Sequence, residues 1–173
     1  HWIWWSLAAP RSRNTDLASL LEPDEIVAWR TEAQTCALLD LMSPQHLARI
    51  EAAKASGERQ IGAVFRRMRI EDGRRVQRAE VRFDGLAGCL RTPRGGSSRQ
   101  TLVVVENGRV RSRLLSPREG ARLMGLPDSY VLPRAATGAL HVVGDGVVVP
   151  VVAWLASEIL QPLLRGSAAI AAE

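Results

Sequence analysis

The stretch from Arg113 to Leu155 constrains the fold more than any other, because both ends of a helix are written into it. Ser116 suits the amino-terminal cap, and Pro117 suits the first helical position. Glu119 stands three residues after the cap, where it reaches back to complete a capping box. Gly125 suits a left-handed carboxyl end, and Pro127 prevents continuation. Ala121, Leu123, Met124 and Leu126 give this segment one apolar side. After a spacer, Gly144-Asp145-Gly146 reads as a glycine turn feeding a β-branched run. An apolar helix follows, expected over Val149–Leu164, with Trp154, Leu155, Ile159 and Leu163 on one broad side. Such a helix expects neighbours on more than one side.

Upstream of this stretch the character changes twice. Residues 16–58 read as helices: a short turn capped by Asp16, a helix from Pro23 to Trp29, and a third over Ala33–Met42. Ser43-Pro44 starts a fourth, closed by Gly57. Residues 59–114 read as two hairpins. One turns at Asp72-Gly73 between strands Ile61–Ile70 and Arg75–Phe83, the second of which alternates imperfectly. The other turns at Asn107-Gly108 between Thr101–Val105 and Arg109–Leu114. The fold class expected is α+β: a hairpin-rich, irregular region flanked by helices. The organisation expected is a helical lead-in over 1–58, Arg-rich hairpins and a loop over 59–114, the capped helix within 115–138, and the glycine turn with its helix over 139–173.

Charge is distributed unevenly along the 173 residues. Residues 59–122 carry 16 arginines against 6 acidic groups, whereas the segments on either side are net acidic. A basic island between acidic flanks points to a polyanion partner. The loop between the hairpins, residues 88–100, concentrates the residues suited to DNA. Gly95 and Gly96 let the backbone approach closely. Arg91, Arg94 and Arg99 bind phosphate or grip a guanine edge. Thr92, Ser97, Ser98 and Gln100 supply short or medium hydrogen-bonding groups. A nucleotide-cradling loop is disfavoured, since the loop has no Walker lysine and opens no helix. The two cysteines form neither a disulfide framework nor a metal site; Cys36 is expected in the core on a helix and Cys89 in a loop or strand. No metal is expected, and His46 reads as a surface residue. Trp2, Trp4 and Trp5 either fill the domain's own core or form a joint to a preceding segment. Residues 1–10 are apolar but too short to span a bilayer and lack a positive leading segment, so a cytoplasmic origin and no membrane are expected.

The two segments of the opening stretch resemble the last two shared motifs of cytosine-5 DNA methyltransferases. The ninth motif is met by Arg113, Leu115, Ser116, Pro117, Arg118, Glu119, Ala121, Arg122, Leu123, Gly125, Pro127, Asp128 and Tyr130. The tenth is met by Gly144, Val147, Val148, Pro150 and Val151, with Asp145 in place of the usual Asn and Gly146 in place of Ala or Ser. In that family the region before the ninth motif is the target-recognition domain, and its glycine-rich loop typically follows a Thr-Leu pair; here Cys89-Leu90 stands there.

The resemblance implies methyl transfer from S-adenosylmethionine to carbon 5 of cytosine in DNA. It implies a flipped base and a cysteine thiolate nucleophile. The glycine-rich cofactor loop, the Pro-Cys nucleophile and the Glu-Asn-Val segment of the early motifs are not found in this sequence, so no residue here is expected to be catalytic. The expectation is a piece, beginning at His1 rather than Met, that recognises DNA and completes part of the cofactor pocket through Gly144, Asp145, Gly146, Val147 and Val148. It needs a catalytic domain or subunit on which its last helix packs. Ser116, Pro117, Arg118, Glu119, Arg122 and Gly125 are expected to be structural. Two alternatives remain at this point: a stand-alone DNA-binding module, and the recognition subunit of a two-chain methyltransferase.

Overall fold

The computed structural model describes residues 7, 9, 15–92 and 99–170. Trp2, Trp4 and Trp5 lie outside the described residues. Two helices lead, α1 (Glu32–Leu39) and α2 (Pro44–Ala55), followed by strands β1 (Gln60–Glu71), β2 (Arg74–Arg82), β3 (Thr101–Glu106) and β4 (Arg109–Leu114). Helices α3 (Pro117–Leu123), α4 (Ala136–Asp145) and α5 (Val149–Leu155) follow the sheet. The last runs through a π-helical turn, Ala156–Leu160, into α6 (Gln161–Ile170). The class is α+β, as expected.

Both hairpins turn where the sequence places them. Asp72 and Gly73 have φ of 49° and 75°, and Asn107 and Gly108 of 49° and 72°. These are two-residue turns, with Glu71 pairing Arg74 and Glu106 pairing Arg109. Asn, Asp and Gly tolerate positive φ, and such turns match the strand twist. The hairpins are joined into one antiparallel sheet of order β2-β1-β3-β4, because β1 also pairs with β3 from Gln60↔Val105 to Val64↔Thr101.

The sheet is covered on both faces. On one, Val64, Ala79, Val81, Val103 and Val105 pack against Leu38 of α1, Met42, and Ile50 and Ala53 of α2. On the other, Ala63 and Leu102 pack against Leu17 and Leu115. With both faces buried, β3 is buried from Thr101 to Val105, so it reads as a continuous apolar run. A third cluster, Ala121, Met124, Leu140 and Val143, holds α4 against α3.

Three expectations are corrected. Pro23–Trp29 forms no helix; it is a turn leading to an isolated bridge between Trp29 and Arg113. The segment is held by cross-sheet contacts instead. Asp24 accepts from Arg59 and Arg111, and its backbone carbonyl accepts from the Trp29 indole. Its Ile26 is exposed, while Val27 and Trp29 are half-buried. Cys36 lies on α1 but is exposed; Thr35 and Leu38 are the buried residues of that helix. Gly144 and Asp145 do not form a turn but end α4, a helix whose Ala139, Leu140 and Val143 are buried. The break comes later, where Gly146 has ψ 163° and Val148 ψ 114°.

Ala136–Arg165 is long and apolar enough, by length and composition alone, to cross a membrane. The non-helical backbone at Gly146 and Val148 divides it, and α4 buries its apolar side on α3. Beyond the break, Val147, Val149, Val151, Val152, Leu155, Leu160, Leu163 and Leu164 are all exposed.

Candidate nucleic-acid interface

The capped helix forms around one buried carboxylate. Glu119 Nα donates to the Ser116 hydroxyl at 3.1 Å, and the Ser116 amide donates to Glu119 Oε2 at 2.8 Å, completing the capping box. The same carboxylate accepts from Arg113 Nη1 and Nη2 at 2.7 and 2.6 Å, and from the Glu22 amide at 2.9 Å. Arg113 and Glu119 are both shut off from solvent. Burial pushes the Glu119 carboxyl up, but the Arg113 guanidinium and the two amides outweigh it and hold it below the ordinary value. A carboxylate with this many donors is spoken for within the fold.

The other charged members of the segment also turn inward to the chain. Arg122 makes a bidentate pair with Asp128 at 2.7 and 2.8 Å and donates to the Leu20 and Leu21 carbonyls. Arg118 donates to the Tyr130 carbonyl at 2.9 Å. At the far end Gly125 has φ of 77°, and the Leu126 amide returns to the Ala121 carbonyl at 3.0 Å. A Cβ at Gly125 would collide with the ring of Pro150, and the Val149 amide donates to the Met124 carbonyl at 2.9 Å. The end of the first motif segment is therefore docked on the start of the last helix.

Of the residues expected at DNA, Arg94, Gly95, Gly96, Ser97 and Ser98 lie outside the described residues. Arg91 is exposed, and Thr92 is half-buried. Arg99 is half-buried and donates from Nη2 to the Leu115 carbonyl at 2.7 Å, while its Nε has no partner among the described residues. Gln100 donates to the Val64 carbonyl at 3.0 Å, just where the β1–β3 ladder ends. Thus the two ends of the loop differ: Arg91 faces solvent, whereas Arg99 and Gln100 fasten the loop to the sheet.

The residues expected at a cofactor are divided in the same way. The Thr92 hydroxyl donates to the Asp145 carboxylate. A Cβ at Gly144 would collide with the backbone of Arg91 and Thr92, so the close approach made at Gly144 is to the loop. Gly146, Val147 and Val148 are exposed around the break. An apolar cleft of about 380 Å³ runs beside them, lined by residues of the loop's first arm, including Gly88 and Leu90, and by Met124, Val143 and Val148. The sequence reading missed α4 and the clasp between Thr92 and Asp145. The spacing of Ala139, Leu140 and Val143 was the signal for the first; nothing local announces the second. Among the described residues no group of His, Cys, Asp and Glu is placed to hold a metal.

These features define an α+β chain in which an arginine-rich loop is clasped to the helical segment carrying the last motif. The model of the C-5 cytosine-specific DNA methylase family matches residues 14–161, and the chain belongs to that family. It is 43% identical over 51 residues to the type II methyltransferase M.HpaII of Haemophilus parainfluenzae, covering 30% of this chain and 14% of that protein. It is 33% identical over 61 residues to the type II methyltransferase M1.ScrFI of Lactococcus lactis subsp. cremoris, covering 35% of this chain and 16% of that protein. The matched stretches thus span less than a fifth of either relative.

Proposed function

We propose that this chain is the target-recognition part of a cytosine-5 DNA methyltransferase, acting in the cytoplasm on double-stranded DNA. On this reading it recognises DNA through the loop of residues 91–100 and lends one wall to the S-adenosylmethionine pocket. It transfers no methyl group alone, and works with a domain or subunit carrying the early motifs. The carrying observation is that the Arg-rich loop and the last motif are joined at Thr92 and Asp145, within a chain of this family.

The residues present fit the cofactor in part. Gly146, Val147 and Val148 are exposed at a break between helices, and Gly146 and Val148 line an apolar cleft. Gly144 and Asp145 are engaged with the loop, so their part in the pocket is to set its position. S-adenosylmethionine, when bound, supplies the methyl group. The exposed valines and leucines of α5 and α6 are the surface on which the catalytic body would pack. The ninth-motif helix fixes the recognition region to that body without touching a base, since Arg113, Glu119 and Arg122 are occupied within the fold.

The test measures labelled methyl transfer to duplex DNA by the purified chain, with and without a polypeptide carrying the early motifs. Transfer only in the mixture supports the reading. Transfer by the chain alone would reveal a catalytic centre within it. Sequence-selective duplex binding with no response to the catalytic polypeptide would favour the stand-alone module.

A further inference from the structure

The β1–β3 ladder ends at Val64↔Thr101, yet β1 and β2 continue together to Glu71↔Arg74. Residues 66–79 therefore leave the sheet as a two-stranded ribbon of about 20 Å, taking six residues per strand at the usual strand rise. The ribbon starts at the corner where Gln100 ends the recognition loop on the Val64 carbonyl.

Its two faces are unlike. One carries every carboxylate-bearing contact: Arg78 pairs with Glu71, and Arg69 and Arg67 both pair with Glu80. On the other, register places Arg66, Met68 and Ile70 beside Ala79, Gln77 and Arg75. No acidic residue stands on that side of the ribbon. Arg66 and Arg75 make no ion pair among the described residues, and Met68 and Ile70 are 50% and 78% exposed. Where this face meets the body it finds another cation: burial and, after it, Arg66 lower the pKa of Arg30. Exposed apolar side chains between unpaired arginines, with like charges brought together, form a surface that lacks its anion.

We propose that the acid-free face of the β1–β2 ribbon docks on double-stranded DNA beside the recognition loop, with Arg66 and Arg75 on phosphates. This rests on the reading that the chain binds DNA, and adds a contact surface outside the loop. A two-stranded ribbon fits the major groove, and arginines at its ends reach the flanking backbones. Gln77, Met68 and Ile70 then face the groove floor, where the amide meets base edges and the apolar side chains meet thymine methyl groups.

Duplex binding by the full 173-residue chain over a salt series tests this. The comparison is between R66A/R75A and R67A/R69A, which remove equal charge from opposite faces. R66A/R75A should weaken binding at least about tenfold and reduce the salt slope by roughly two, one per phosphate contact. R67A/R69A should change affinity less than about threefold, and R66K/R75K should retain most of it. Equal weakening by the two alanine pairs would reduce the effect to net charge and overturn the proposal. So would unchanged binding in R66A/R75A. If R91A/R94A loses binding while R66A/R75A does not, the ribbon fails and the loop reading stands. If the unmodified chain binds no duplex, both fail.

Discussion

The Glu119 carboxylate and the Arg113 guanidinium form a bidentate pair at 2.6 and 2.7 Å inside the protein, six residues apart across the junction of β4 and α3. A capping glutamate at a helix surface contributes about 0.5–2 kcal/mol. This one also neutralises a buried cation. Removing it strands Arg113, so Glu119→Ala should cost about 3–5 kcal/mol. Ser116→Ala, which loses only the cap, should cost about 1 kcal/mol. Denaturant unfolding of both variants checks the ranking. A Glu119→Ala variant with normal stability but altered target choice would instead place this residue at the DNA.

The same pair gives stability a direction with pH. Glu119 is held below its ordinary value in the folded chain by Arg113 and the amides of Ser116 and Glu22, against the effect of burial. Its contribution is therefore complete above the ordinary glutamate value of about 4.3. It is lost as the unfolded chain, and then the folded one, takes up the proton at lower pH. Asp24, held low by Arg59 and Arg111, acts with the same sign. The unfolding midpoint should be flat from neutral pH to about 5 and fall below it, and Glu119→Gln should flatten part of that fall.

How much of this was legible in the sequence follows from the range of each interaction. Asp72-Gly73 and Asn107-Gly108 force their turns through positive φ, and Ser116 with Glu119 closes a box within one helical turn, so these are readable locally. Pro23–Trp29 misleads because its apolar residues resemble a short helix, whereas Trp29 is claimed by Arg113 and by Arg111, whose guanidinium lies 4.0 Å from the ring centre. The joining of the hairpins through β1 and β3 needs pairs some forty residues apart. The loop was recognisable by composition, but its anchoring at Arg99 and Gln100 depends on partners at Leu115 and Val64. The two-faced ribbon was hidden because the sequence shows arginines in number; the register decides which of them meet a carboxylate.

Thr92 and Asp145 clasp the loop to the end of α4, and Gly144 lies against the Arg91–Thr92 backbone. Gly144→Ala should overpack this contact and cost about 1–3 kcal/mol. Thr92→Val should free the loop with little global loss. Hydrogen exchange at residues 88–92 should quicken in both variants while β3 stays protected. Unchanged exchange in both would show that the clasp does not hold the loop.

Within the loop, Arg91 is the cleaner probe of recognition, because its side chain is exposed and makes no ion pair among the described residues, its backbone alone lying against Gly144. If it reaches a base, Arg91→Ala should cost about 1–3 kcal/mol of binding and relax preference at one position. Arg99→Ala should lose stability as well, since Arg99 holds the Leu115 carbonyl. Matched and mismatched duplexes separate the two effects. Full affinity and preference in both variants, and in Arg94→Ala, would remove the loop from the interface.

The segment from Val147 to Leu164 leaves much apolar surface in solvent: Val151 and Val152 are half exposed, and Val147 and Leu164 are 68% and 72% exposed. Soluble monomers rarely leave a contiguous apolar patch beyond a few hundred Å². The purified chain should therefore self-associate as concentration rises, and Val151→Glu with Leu155→Glu should return it to a monomer without loss of the sheet. Sedimentation reads both. In a complex with the catalytic polypeptide, the same two substitutions should abolish assembly, and S-adenosylmethionine should slow exchange at Gly146 and Val147. Assembly that survives both glutamates, or a cofactor that protects other segments alone, would detach this helix from the catalytic body.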